Sequence, residues 1–224
     1  MTLAHGASIV TNGLLLLLDA ANSRSYPGTG TAWNDLSGQG TNSTLTASPP
    51  YSSSNLGYFT FNGSTQFALT TNPGGTITTG TVMAWVWRNG VQNGFTGIVY
   101  NRGTGNNILG LGTLGDGTNL SYTWNNSAST YDWLTGLTIP NQAWSMVAVS
   151  VGASTTTAYV NMSSVSQSYV PASMTFGAGW WVGRDSSSIR TWNGRISTAI
   201  VYNRALTTDE IAQNFNAYRG RYGI

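Results

Sequence analysis

The stretch Trp192-Asn-Gly-Arg-Ile-Ser-Thr-Ala-Ile-Val-Tyr-Asn-Arg-Ala-Leu-Thr-Thr-Asp-Glu-Ile211 changes its period partway along. From 192 to 202 the residues are largely β-branched, aromatic or small, as in a pleated, half-buried strand, with imperfect alternation around 199–201. Thr207 with Glu210 three residues later forms a capping-box signature. Ile211, Phe215 and Tyr218 then recur at helical spacing, and Gly220 stands where a helix C-cap is expected. One strand therefore runs into one short helix over about 207–219, in a chain whose other periodic segments are short strands.

Upstream, turn chemistry recurs at about every ten residues, the spacing of an all-β sandwich: Gly28-Thr-Gly30, Ser37-Gly-Gln-Gly40, Ser48-Pro-Pro50, Asn72-Pro-Gly-Gly75 and Asn89-Gly90. Candidate strands lie between at 14–19, 58–61, 67–69, 81–87, 97–101, 108–114, 120–124, 144–151, 156–161, 179–183 and 192–202. That number exceeds a minimal immunoglobulin fold and fits the two larger antiparallel sheets of a jelly roll. In the segment 82–87 both faces are apolar, Met83, Trp85 and Trp87 on one and Val82, Ala84 and Val86 on the other, which marks a central strand. Trp180 and Trp181 must point to opposite faces, one into the core and the other exposed or covered by a loop or neighbouring subunit. Residues 1–12 lack periodicity and read as an N-terminal arm that orders only against a neighbour. Residues 13–224 read as one all-β domain, an antiparallel two-sheet sandwich closed by the C-terminal helix.

Composition narrows the function. Aromatics make up 12% of the chain, with nine Trp and eleven Tyr, so a packed interior is expected and disorder is not. Only 7% of residues are charged, against roughly a quarter in an ordinary globular domain. Ser, Thr, Asn and Gly must therefore cover the surface, which suits neutral sugars or protein neighbours; filling of strands and turns by those residues explains the same composition. A net charge of +2 without an Arg cluster argues against nucleic-acid binding. Cysteine is absent, so disulfides and thiolate chemistry are excluded. Leu14 to Leu18 is too short for a membrane span or a signal-peptide core, so no membrane partner is expected, and synthesis in the cytoplasm without a signal peptide is.

Four segments carry a family resemblance. Gly13-Leu-Leu-Leu-Leu-Leu-Asp-Ala20 with Trp33-Asn-Asp-Leu-Ser-Gly38, Phe59-Thr-Phe-Asn-Gly63, the pair 144–151 and 157–161, and the closing strand and helix are similar to the laminin G-like, concanavalin A-like jelly-roll domains common in bacteriophage virion proteins. The resemblance implies a concanavalin A-like fold and a virion surface protein that decorates or cements a capsid or extends a tail, with other virion proteins and its own copies as partners. The alternative is a carbohydrate-binding adhesin that recognises host cell-surface polysaccharide, which could also sit on a virion.

A glycosidase ordinarily needs two carboxylates flanking the scissile bond. The acids are Asp19, Asp35, Asp116, Asp132, Asp185, Asp209 and Glu210, with none of the alternate-position clustering of glucanases of this fold, so no enzyme is expected. The lone His5 has no acid partner nearby in sequence. Gly110-Leu-Gly-Thr-Leu-Gly115 satisfies a dinucleotide-loop expression, but no helix pattern follows, so turn glycines are expected. Lectin-like jelly rolls often bind calcium; the weak ligand candidates are Asp19, Asp35, Asp116 and Asp132, while the neutral Asn62 and Gln66 in 61–66 weaken the inference. Sugar binding needs aromatic platforms beside amides or carboxylates. Trp124, Asn125, Asn126, Tyr131, Asp132 and Trp133, in a loop and its flanking strands, form the candidate glycan site, the competing reading being that Trp124 and Trp133 fill the core or a subunit contact.

Overall fold

A computed structural model describes residues 8–186 and 189–224. In chain order the strands are β1 (Leu14–Asp19), β2 (Ala32–Trp33), β3 (Ser43–Thr46), β4 (Tyr51–Ser52), β5 (Tyr58–Asn62), β6 (Phe67–Thr70), β7 (Thr76–Ile77) and β8 (Gly80–Arg88). There follow β9 (Gly97–Arg102), β10 (Ile108–Thr113), β11 (Leu120–Trp124), β12 (Trp144–Val151), β13 (Thr155–Val160), β14 (Ser163–Ser168), β15 (Met174–Thr175), β16 (Trp180–Val182) and β17 (Asn193–Tyr202). A single-turn helix α1 (Ala128–Tyr131) follows β11, and α2 (Thr208–Tyr218) follows β17.

Two antiparallel sheets make the sandwich. The first runs β14-β13-β12-β8-β17-β5-β4, with β1 also paired to β17; the second runs β11-β10-β9-β16-β6-β3-β2. Val82, Ala84 and Val86 of β8 meet Leu109, Leu111, Trp124, Trp180 and Val182 of the second sheet in the core between them. Met83 and Trp85 point the other way, under α2, so β8 is central and buried on both faces. The same cover explains the broken alternation of β17. Ala199 and Val201 fill the sandwich while Ile200 and Tyr202 lie beneath α2, and a bulge interrupts the pairing between Ile196 and Thr198.

The helix begins as its sequence demands. Glu210 N–H donates to Thr207 Oγ1 at 3.3 Å, and Thr207 N–H donates to Glu210 Oε2 at 2.9 Å. Ile211, Phe215 and Tyr218 then bury against the first sheet, with Trp85 stacked on Phe215 at 5.7 Å and on Tyr222 at 4.3 Å. Its end differs from expectation: a 3-10 turn, Arg219–Arg221, continues the chain through Gly220, and the left-handed glycine is Gly223 at φ 72°. Residues 8–12, placed in the arm by sequence, dock on this corner: Val10 N–H donates to Asn214 Oδ1 and Tyr202 OH donates to Val10 O. The remainder of the arm, His5 included, lies outside the described residues.

Arg204 grips Glu210 through two hydrogen bonds, at 2.8 and 2.6 Å. This pairing, with the Thr207 bonds, holds the Glu210 carboxyl down at about 2. A depressed native pKa means stability that is present above the ordinary value of 4.5 and is lost as pH falls through about 2. Glu210→Gln keeps the capping shape and removes the charge, so acid denaturation profiles of the variant should be flatter across that window. An unchanged profile would contradict the assignment.

Candidate functional site

With α2 on the first sheet, the second sheet presents its outer face without a long helix over it. Direct strand partners place Thr123, Gly110, Tyr100, Trp181, Leu69 and Thr44 in one row across β11, β10, β9, β16, β6 and β3. Their chain neighbours Trp124, Leu109, Trp180, Val182 and Ala68 face the core, so the row faces outward.

Tyr100 is held flat by what its neighbours lack. A Cβ at Gly110 would sit 2.2 to 2.5 Å from three atoms of the Tyr100 ring, while one at Gly112 would lie 2.2 Å from Thr96 O and 3.1 Å from the ring. Both are strand residues, not the turn glycines that the sequence suggests: Gly110 makes room for the aromatic plate, and Gly112 chiefly for the Thr96 carbonyl. Beside Tyr100, Trp181 is half-buried with its ring 5.0 Å from Phe67, and the Arg184 guanidinium lies 5.3 Å over it. The pair Trp180 and Trp181 thus divides as parity requires: Trp180 fills the core and Trp181 faces outward.

At the β11 end of the row lies a cleft of about 210 Å³. Tyr100 and Thr123 are among its sheet residues; Phe95 and Tyr131, in edge-to-face contact at 6.1 Å, and Asn126 also line it. A charged cluster closes the site. Asp185 is buried and accepts from Arg102 Nε at 2.7 Å and Nη2 at 2.8 Å, from Arg190 Nη1 at 3.1 Å, and from its neighbour Ser186 N–H at 2.6 Å. Arg190 also lies 5.4 Å over the Phe95 ring. Two guanidiniums against one carboxylate leave a charge of +1 on this wall. Burial, reinforced by the Asp185 charge, pushes the Tyr100 phenol above its ordinary range, so it stays neutral. The Thr123 hydroxyl is buried here without a hydrogen-bond partner among the described residues, an open polar position on the sheet.

The structure divides the candidate glycan residues. Asn126 and Tyr131 line the cleft. Trp124 is a correction: it is fully buried in the sandwich core and donates from Nε1 to Ala172 O at 2.7 Å, so it cannot act as a sugar platform. Asn125 holds the loop together by donating to Ser173 O at 3.1 Å. Trp133 packs half-buried at the core margin against Tyr122, and Asp132 is exposed beyond the cleft lining. Sequence reasoning missed Tyr100, Arg102, Asp185 and Arg190. The available signal was Gly110-x-Gly112 inside a strand pattern: two glycines on one face mark the close approach of a neighbouring group.

The four calcium candidates are spread over separate places. Asp19 receives two bonds from Arg221 at 2.9 Å. Asp35 accepts from the backbone of Leu17, Ser37 and Thr41, and Asp116 accepts from Thr118 and Asn119 within its own turn. Among the described residues, no three His, Cys, Asp or Glu side chains converge as a metal-holding group.

The fold and its open sheet face are those of a lectin-type jelly roll. The chain belongs to the concanavalin A-like lectin/glucanases superfamily, whose Laminin_G_3 family matches residues 61–212. No curated protein matches it in sequence. Among solved structures, domain 4 of AbnA, an extracellular arabinanase from Geobacillus stearothermophilus, in complex with arabinotriose, is similar at TM-score 0.71 and 19% identity, over 91% of this chain and 98% of that one. Trypanosoma rangeli sialidase in complex with sialic acid is similar at TM-score 0.64 and 17% identity, over 96% of this chain and 35% of that one. The binding domain of Paraclostridial Mosquitocidal Protein 1 follows at TM-score 0.59 and 16% identity, over 93% and 53%. At these identities the likeness shows a shared fold.

Proposed function

We propose that this domain binds carbohydrate, without cleaving it, on the outer face of the second sheet. The observation that carries the reading is the row Tyr100–Trp181 opening into the cleft. It combines the half-buried Trp181 ring, the more accessible of the two, and the largely covered Tyr100 ring at the cleft wall with the Asn126 amide and the Arg190 guanidinium, the pairing that sugar C–H faces and hydroxyls require. The arabinotriose complex of the similar AbnA domain is consistent with a ligand-binding use of the fold. The non-catalytic part rests on the acids. Asp185 is the one carboxylate lining the cleft among the described residues, and it is tied to two arginines, whereas glycoside cleavage ordinarily uses a pair.

The test is a glycan array with multimerised protein, followed by Trp181→Ala. Because Trp181 is half-buried at the surface, its loss should weaken binding by about tenfold while leaving the fold intact. Equal binding by the variant, or no bound glycan for the wild type, removes the reading.

The charge-poor composition, 7% charged residues, favours a compatible setting: display on a virus particle through neutral contacts, strengthened by repetition. Mass spectrometry of purified virions should then detect the chain, and its absence from them would remove that setting.

A further inference from the structure

The first sheet carries a second groove, of about 250 Å³, where the cover of its outer face stops. Tyr222 and Trp144, whose rings lie 4.7 Å apart, are the last covered rings at this end. Beyond them Trp87 of β8, Arg195 of β17 and Thr60 of β5 stand side by side as direct strand partners. Gly194 permits the approach: a Cβ there would lie 2.1 Å from Trp87 O.

Arg195 stands between two aromatic rings. Its guanidinium lies 4.8 Å from the Tyr58 ring and 4.8 Å from the Trp87 ring. No described carboxylate reaches it: Asp19, Asp185 and Glu210 form ion pairs elsewhere, with Arg221, with Arg102 and Arg190, and with Arg204. Its guanidinium also makes no hydrogen bond to any described residue. The two rings fix the planar fork, so little side-chain freedom remains to be lost on binding, while its donors stay available. Around it the groove offers the exposed Asn89 and Gln142 side chains and the Thr60 hydroxyl. The nearby groups thus supply fixed positive charge, neutral amides and an aromatic wall, with no acid in the lining.

We propose that this groove is a second binding site, separate from the cleft on the other sheet, for the anionic group of an acidic oligosaccharide. Arg195 takes the carboxylate of a uronic acid through paired hydrogen bonds, and the amides take neighbouring hydroxyls. The site stands or falls independently of the Tyr100–Trp181 face.

Isothermal titration of the full chain with a galacturonate trisaccharide, its neutral galactose counterpart and a sulfated disaccharide tests this. The galacturonate probe should bind the wild type, more weakly as salt rises, and about tenfold more weakly to Arg195→Gln, while the neutral counterpart binds wild type and Arg195→Gln alike. Binding of the sulfated probe alone, still dependent on Arg195, would identify a sulfate ester as the anion. Thermal melting establishes that Arg195→Gln is folded, and Asn89→Ala, at an exposed position, gives a second reading of the same groove. Equal affinity of wild type and Arg195→Gln for the acidic probes, or no binding of either acidic probe at millimolar concentration, overturns the proposal.

Discussion

Trp124→Ala is expected to destabilise the domain by about 3–5 kcal/mol, the range for removing a large aromatic from a close-packed core. The ring is fully buried between the sheets, so most of the lost volume becomes cavity. Truncation also removes the bond from Nε1 to Ala172 O at 2.7 Å, leaving that carbonyl only the longer bond from Asn125 Nδ2 at 3.3 Å. In a chain of 224 residues the melting temperature should fall by about 10 °C. Urea unfolding measures the change directly, and a loss below about 1 kcal/mol would show that the indole is dispensable to the core. Trp133, only half-buried, should cost less. The contrast matters for function: any glycan binding lost in Trp124→Ala would follow the folded fraction, whereas loss in Trp181→Ala would not.

Sequence could not have separated those tryptophans. Along β11 the residues Leu120, Tyr122 and Trp124 share one face and Ser121 and Thr123 the other, so periodicity marks a core stripe; that Trp124 ends the strand made a loop platform equally consistent. The long strands β8, β12 and β17 and the capped helix were legible because burial there imposes a period or a cap. β14 was not legible. Its sequence Ser-Ser-Val-Ser-Gln-Ser lies at a sheet edge with little buried surface, and it holds to β13 through backbone pairing and the Thr157–Ser166 hydroxyl contact at 2.8 Å. α1 has too few turns to show a helical period. The charged cluster was invisible for another reason. Arg102 and Asp185 are 83 residues apart and meet only because β16 pairs beside β9, and no local pattern encodes that adjacency.

That cluster carries the second large effect. Asp185→Asn should destabilise the domain by about 3 kcal/mol, the lower end of the range for breaking a buried ion pair from one side. The asparagine keeps one acceptor oxygen but turns an amide donor toward guanidinium donors, so Arg102 loses its paired bonds and Arg190 its partner. Side-chain exposure of 25% for Arg102 and 38% for Arg190 lets water recover part of the loss, which places the estimate at the low end. Removing both charges with Arg102→Met and Asp185→Asn should be less damaging than Asp185→Asn alone, because no stranded guanidinium then remains at the bidentate position. A double-mutant cycle in urea measures that coupling. If the single and double variants lose equal stability, the pair does not hold Asp185 and Arg190 against β9, and the cleft wall must be held by backbone bonds such as Gly97 N–H to Arg190 O. If coupling is large, the same ion pair also keeps Arg190 over Phe95, and stability and the shape of the sugar-facing wall must change together.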